Sequence, residues 1–306
     1  MKDKIILICG GSGMIGTALS NYLTQFGIRI RILTRQKKSS TQYEQFLWNP
    51  YKEEIDSKAL DDVYGVINLA GASIGSRRWS KKRKMEIYNS RILSTRFMIK
   101  CINARTIPPE IFVSTSAIGV YGNRGNEIMD EDSLISTEDF LSNLCIDWEA
   151  EVSRLDKNIR SVILRIGLVL SMEDGLLAKS MIPAKIFLTP VFGSGKQIYS
   201  WIHIQDLLNI FGWILNHETS QGIYIAVSLH PISQSEFAMQ LSKTIHRYII
   251  PFHLPAFLLN LILGKFSTSL LDSQHILSKK LISEGFVFTY PTLPEALENL
   301  LMHQHA

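Results

Sequence analysis

The chain has 306 residues, 46% hydrophobic and 20% charged, which excludes a disordered protein and fits one large domain or two modest ones. Its formal charge of +4 argues against a nucleic-acid partner, and no apolar run approaches the roughly 20 residues of a membrane span. Cys9, Cys101 and Cys145 lie far apart in no metal-ligand spacing, which excludes a zinc ribbon and a disulfide framework; with too short an apolar start for a signal peptide, a soluble cytoplasmic protein is expected.

Lys4 to Cys9 (KIILIC) is a short apolar run that stops at a glycine cluster, the pattern of a strand buried on both faces. Met14, Ile15, Ala18, Leu19, Tyr22, Leu23 and Phe26 then recur at helical spacing, and Gly27 ends that helix. Ile28 to Leu33 is a second strand. The first 34 residues thus form a β-α-β unit, which demands a parallel sheet. Val63 to Leu69, Ile111 to Ser114 and Ser161 to Ile166 read as further strands, and 81–104 and 140–155 as helices. This alternation predicts an α/β fold with a doubly wound parallel Rossmann sheet over residues 1–170. Beyond residue 170, a helix over 207–215, a strand over 222–227, a helix over 235–245 and a final helix near Ala296 read as a smaller C-terminal α/β substrate domain, 171–306. The apolar run Leu254 to Leu263 reads as a buried helix.

Gly10, Gly13 and Gly16 sit at the first strand–helix junction (GGSGMIG). There they serve a tight turn, close approach of a pyrophosphate and helix–strand packing, while the helix N-terminus offers N–H groups to phosphates. Ser12, Met14 and Ile15 belong to the same loop. The second strand ends at Leu33-Thr34-Arg35, followed by Lys37 and Lys38. An acid at this point would bind a ribose 2′-hydroxyl; Arg35 instead suits a 2′-phosphate, so NADP(H) is favoured over NAD.

Several blocks carry a family resemblance: NLAGASI (68–74), RRWSKKRKMEIYNSRILST (77–95), STSAIGVYG (114–122), RIGLVLS (165–171), GSGKQIYSWIHIQDL (193–207) and 270–297. With the glycine spacing they resemble the atypical short-chain dehydrogenase/reductases, in particular the NADP-binding "epimerase family" with its characteristic C-terminal extension, about 251–301. The resemblance implies an NADP(H)-binding oxidoreductase or epimerase-like enzyme on a small molecule. It adds Leu69, Ala70, Gly71, Arg91 and Ser114 to the expected cofactor site. Extended members of the superfamily often dimerise through a four-helix contact, for which 81–104 and 140–155 are the candidates.

The superfamily's Tyr-x-x-x-Lys pair is missing. Its expected window, Asp139 to Glu151, holds neither Tyr nor Lys, and Cys145 and Trp148 stand near the expected places. Substitute catalytic candidates are Ser116, Tyr121 and Cys145. Counting back from Tyr121-Gly122 points to Ala117 rather than Ser116, and for Cys145 buried packing is favoured over a role as polarisable wall or weak acid. Asp147 and Glu149 read as helix-surface carboxylates. An alternative function is a catalytically silent nucleotide-binding sensor or scaffold acting through a protein partner.

Six of the eight residues from Arg77 to Lys84 are basic, either a solvated helix start or an anion-handling patch. Trp79 and Lys84 are candidate substrate contacts, with Trp148, Gln197, Ser200, Trp201 and His203. Nucleotide-sugar epimerases resembling the 193–207 block usually carry an Arg where this chain has Tyr199, and Lys265 stands where the smaller family usually shows an acid. His203 and Asp206, three residues apart, suggest a structural hydrogen bond.

Overall fold

A computed structural model describes residues 1–37, 39, 41–184, 188–245 and 250–302. Lys38, expected beside Arg35, lies outside the described residues. Eight strands form the central sheet. From edge to edge they are Gly222–Ala226, Arg160–Ile166, Ile111–Ala117, Val63–Asn68, Ile5–Cys9, Arg29–Thr34, Glu44–Asn49 and Glu54–Ile55. All neighbours run parallel except the last pair. The strand order reverses between Ile5–Cys9 and Val63–Asn68, so their C-terminal ends open a crevice, where doubly wound sheets hold their ligands.

The burial of the strands follows from this layering. All of Ile5–Cys9 is buried, with alternate side chains entering two cores. Ile6 and Ile8 meet helices Met14–Thr24 and Ile204–Asn216 through Leu19, Leu23, Leu207 and Phe211. Leu7 and Cys9 face helices Lys81–Asn103 and Phe140–Val152 through Phe97, Met98 and Val152. Ser80 starts the first of these two helices by accepting from the Arg83 amide. Asp139 starts the second with a capping box, its Oδ1 accepting from the Leu141 and Ser142 amides at 2.7 and 3.0 Å. Each cap contributes about 1 kcal/mol.

A smaller C-terminal part builds the far wall of the crevice. Short strands pair Leu188–Phe192 with Ile250–Leu254, Ile198–Tyr199 with Ile232–Ser233, and Trp201–His203 with Leu168–Leu170. Helices Gln234–Thr244 and Leu293–Met302 close a third core around Trp201, Phe237, Leu241 and Leu297. A two-residue parallel ladder joins His275–Ile276 to Ile128–Met129.

Three features differ from expectation. The strand Gly222–Ala226, read into the smaller unit, hydrogen-bonds to Arg160–Ile166 and completes the main sheet, because the chain returns after building part of the crevice wall. Glu44–Asn49, unforeseen, extends the sheet with Phe46 and Trp48 alternating inward. Ala256–Leu263 is a helix but not a buried one: Leu259 alone of it is buried, while Phe257, Leu261 and Ile262 are 61–70% exposed. Among the described residues no helix is long and apolar enough to cross a membrane.

Candidate functional site

Two cavities meet at the glycine loop. One, of about 750 Å³, runs from Gly10, Ser12 and Gly13 to Thr34 and Arg35, with Trp48, Pro50 and Tyr51 on its wall. The other, of about 570 Å³, runs from Gly13, Met14 and Ile15 past Ser116, Cys145 and Trp148 to Ser269, Leu270 and Asp272. Leu69, Ala70 and Gly71 line both.

The loop geometry explains its glycines. Gly10 has φ +80°, a conformation side chains disfavour, and a Cβ there would lie 2.7 Å from the Leu69 carbonyl oxygen. A Cβ on Gly16 would lie 2.4 Å from the Gly10 oxygen, so the helix packs on the loop only without one. Gly13 is different. A Cβ there would come within 4 Å only of the Gly10 oxygen, at 3.5 Å; the rest of its surroundings are open. Gly13 is the helix N-cap and provides no side-chain cap, so the helix start is free to receive an anion.

At the other end of the larger cavity stands exposed Arg35, without an ion pair among the described residues. Thr34 holds the turn, its hydroxyl donating to the Gln36 carbonyl oxygen at 2.8 Å. A glycine cradle, an uncapped helix start and a guanidinium with no ion pair among the described residues, though within the field of Glu86, are spaced along one cavity and fit a dinucleotide with a phosphate on its ribose.

Arg91 is buried and its charge is local. Its Nη1 donates to the Ala72 and Ile87 carbonyl oxygens at 3.0 and 3.2 Å, and its guanidinium lies 5.3 Å from the Trp148 ring centre. A Cβ on Gly71 would lie 2.9 Å from the Arg91 guanidinium carbon, so the two pack directly. Burial pulls the Arg91 pKa down to about 10. The Trp148 indole donates to Thr95 Oγ1 at 2.8 Å, which also accepts from Asn68.

The proton-handling candidates do not all reach the cavity. Ser116 does, and its hydroxyl donates to Glu149 Oε1 at 2.6 Å. Glu149 is not a surface residue. Its carboxylate takes two hydrogen bonds from Arg165, Nε at 2.9 Å and Nη2 at 2.7 Å, and both side chains are nearly buried. Ala117 lines the cavity beside Ser116 but brings no polar side-chain atom. Cys145 lies four residues before Glu149 on the same helix; burial first, then Glu149, pushes its thiol up to about 11, so it stays protonated at neutral pH. Tyr121 is a correction. It is fully buried and lines neither cavity: its hydroxyl donates to the Asp130 carbonyl oxygen at 2.8 Å and accepts from Arg165 Nη1 at 2.7 Å. Asp147 is reached by the Tyr88 hydroxyl at 2.8 Å.

The residues expected from the 193–207 block mostly hold the wall together. Gln197 Nε2 donates to the Phe192 and Leu270 carbonyl oxygens. Ser200 lines the cavity, but its hydroxyl donates to the Gln274 carbonyl oxygen at 2.7 Å and accepts from the Ile276 amide at 2.8 Å. Trp201 sits in the third core, its indole donating to the His230 carbonyl oxygen at 3.0 Å. His203 caps the helix Ile204–Asn216, Nδ1 accepting from the Gln205 amide, and packs on the Tyr290 ring with centres 4.0 Å apart. Burial pulls its pKa down to about 4. Asp206 accepts from the Thr289 and Tyr290 amides, not from His203. Ser114 is buried in the sheet and lines neither cavity.

Trp79 and Lys84 line an adjoining cavity of about 610 Å³ with Phe140, Phe257, Lys265 and Asp272. The Lys84 ammonium lies 4.6 Å from the Phe140 ring centre and 5.5 Å from that of Trp79. The sequence singled out neither the Glu149–Arg165 pair nor Ser269, Asp272 and the Trp48–Tyr51 wall. Arg165, Ser269 and Asp272 lay inside or beside the blocks that carry the resemblance. The alternation at Phe46 and Trp48 was the signal for the wall.

Residues 6–226 match the NAD dependent epimerase/dehydratase family, and residues 254–300 match a domain of unknown function, DUF1731. An epimerase family protein of Staphylococcus epidermidis is 34% identical over 97% of this chain and 99% of its own, and one of Staphylococcus saprophyticus is 35% identical over the same shares. Among solved structures, human epimerase family protein SDR39U1 (isoform 2) with NADPH is 27% identical, covers 97% of this chain and 99% of its own, and superposes with a TM-score of 0.89. The nucleoside-diphosphate sugar epimerase of Corynebacterium glutamicum is 26% identical with a TM-score of 0.79, over 99% of this chain and 59% of its own. The sheet order, the glycine cradle and a match over most of its length agree: this chain belongs to the NAD dependent epimerase/dehydratase family, as an epimerase family protein with the C-terminal extension.

Proposed function

We propose that the chain binds NADP(H) and acts as an oxidoreductase or epimerase-like enzyme on a small molecule. The observation that carries the reading is one cavity joining an uncapped helix start at Gly13 to the guanidinium of Arg35, which forms no ion pair among the described residues. A relative that binds NADPH supports it. Gly10, Ser12, Gly13, Met14, Ile15 and Gly16 would hold the pyrophosphate end, Thr34 and Arg35 the phosphorylated ribose, and Leu69, Ala70, Gly71 and Arg91 the middle of the dinucleotide. A bound nicotinamide supplies or accepts hydride. This chain's part is to orient the substrate against the Ser116 wall and move a proton there. The Ser116 hydroxyl is the group placed for that, with Glu149 behind it as hydrogen-bond acceptor and Arg165 holding Glu149. Cys145 packs beside them as a neutral thiol. The smaller C-terminal part supplies the substrate wall.

The test is calorimetric titration with NADPH, NADP, NADH and NAD, on wild type and Arg35→Ala. Preference for the phosphorylated pair, lost in Arg35→Ala, is the expected result; equal binding of all four, or none, would sink it. A second reading, a nucleotide-binding sensor without turnover, is favoured by the locked Tyr121 and the high thiol pKa of Cys145. Loss of NADPH absorbance with a carbonyl substrate, abolished in Ser116→Ala, would exclude it. A homodimer through helices Lys81–Asn103 and Phe140–Val152 is proposed too, with light scattering as its test.

A further inference from the structure

We propose that the inner cavity takes a neutral or cationic substrate with a largely apolar body, which presents a hydrogen-bond donor to Asp272, and that it disfavours a nucleoside diphosphate. The inference builds on the oxidoreductase reading by naming the class of substrate for the same site.

Beyond the Ser116 wall the cavity is apolar, with Ile118, Leu141, Leu144, Leu168, Val169 and Leu176 around it. On the far side Tyr199, Ser200 and Gln274 are tied to backbone carbonyl oxygens, whereas Ser269 and Asp272 of the C-terminal extension are unengaged among the described residues. The Ser269 hydroxyl oxygen is buried and has no hydrogen-bond partner among the described residues. The Asp272 carboxylate forms no hydrogen bond or ion pair among the described residues; only its backbone amide is used, donating to the Thr268 carbonyl oxygen. Its charged neighbour is another carboxylate, Asp139, which already caps a helix. Burial and Asp139 push the Asp272 pKa up to about 6. A third carboxylate, Asp174, lies at the rim. A half-buried, unpaired carboxylate beside a buried, unpaired hydroxyl leaves desolvation partly unmet until a ligand donor arrives.

A diphosphate requires the opposite lining. Away from a helix start such as the one at Gly13, a diphosphate is best held by Arg or Lys donors in the cavity itself. Here the lone guanidinium on the wall, Arg91, is committed to the Ala72 and Ile87 carbonyl oxygens beside the glycine loop. The position where nucleotide-sugar enzymes resembling this block carry Arg holds Tyr199, whose hydroxyl donates to the Leu270 carbonyl oxygen at 2.9 Å. Asp272 also lines the adjoining cavity that holds Lys84 and Lys265, but neither lysine forms an ion pair with it. A doubly charged group in the inner cavity would meet carboxylates in a low-dielectric setting.

Matched six-carbon probes test this: hexylamine, hexanol and hexanoate, with UDP-glucose alongside, titrated calorimetrically into the full chain with and without NADPH. Hexylamine and hexanol should bind, with hexanoate at least tenfold weaker than hexanol and UDP-glucose giving no heat. In Asp272→Asn hexylamine should weaken at least tenfold and hexanoate should rise to within threefold of hexanol. Ser269→Ala, the smaller change, should weaken hexanol while keeping the order of charges. Tight hexanoate or UDP-glucose binding, no binding of any six-carbon probe, or an unchanged order in Asp272→Asn would each overturn the proposal. The order is read on the cofactor-free protein as well, so failure of NADPH to bind would defeat the oxidoreductase reading alone.

Discussion

Glu149 receives the Ser116 hydroxyl at 2.6 Å while both of its oxygens are held by Arg165, so one helix carboxylate is tied to facing residues of two adjacent sheet strands. The helix places Glu149 four residues after Cys145, the spacing at which side chains share a helix face.

Breaking this pair should be expensive. Glu149→Gln leaves the Arg165 guanidinium, 4% exposed, without its counter-charge. Removing one partner of a buried pair costs about 3–5 kcal/mol. Urea unfolding monitored by circular dichroism should show an unfolding free energy lowered by that amount. A loss below about 1 kcal/mol would mean that the pair is solvated in solution.

Tyr121 should matter to stability and not to chemistry. Tyr121→Phe removes one hydrogen bond to the Asp130 carbonyl oxygen and one acceptor for Arg165. The expected cost is about 1–3 kcal/mol, with any turnover per folded molecule unchanged. A fall in turnover without a fall in stability would return Tyr121 to the reaction.

Gly13 and Gly16 should separate binding from folding. Gly16→Ala forces a Cβ to 2.4 Å from the Gly10 oxygen and should lower the melting temperature. Gly13→Ala meets nothing closer than 3.5 Å and should fold normally, yet its methyl group should cut dinucleotide affinity at least tenfold, by roughly 1.4 kcal/mol or more. Thermal melts with and without NADPH read both effects. NADPH stabilising Gly13→Ala as much as wild type would move the pyrophosphate elsewhere.

His203 gives a signed pH effect. Burial holds its folded pKa at about 4, below the ordinary 6.5, so the unfolded chain binds the extra proton between those values. Stability is therefore full above pH 6.5 and falls as the pH drops toward 4, by about 3 kcal/mol. Asp272 acts in the opposite sense, since its raised pKa makes the folded chain the better proton binder between about 3.8 and 6. Urea midpoints from pH 7 to pH 4 should flatten in His203→Asn, which keeps an oxygen for the Gln205 amide, and steepen in Asp272→Asn. Identical slopes in wild type and His203→Asn would show that His203 titrates normally.

What the sequence showed and hid follows from the range of each interaction. The glycine loop and first strand–helix–strand unit were legible because both rest on local rules, a positive φ at Gly10 and an apolar run ending at Cys9. Glu149 was misread because its partner, Arg165, lies on a strand 16 residues away and no local pattern ties the two together. Trp201 was misread because the motif around it suggests a pocket, whereas its indole closes a core with the Leu293–Met302 helix. Gly222–Ala226 was placed outside the sheet because more than fifty residues intervene before the chain returns to Arg160–Ile166. The apolar run at 256–263 shows that hydrophobicity gives an element without saying that it is covered.

The ladder between Ile128–Met129 and His275–Ile276 has a consequence for synthesis. The cofactor end of the crevice, from Gly10 to Ser116, is made early, whereas Ser269, Asp272 and the strand that fastens them emerge about 150 residues later. A nascent chain can therefore acquire its dinucleotide cradle well before its substrate wall. Dinucleotide binding and substrate binding should switch on at different chain lengths on the ribosome, the second only once Ile276 has left the exit tunnel.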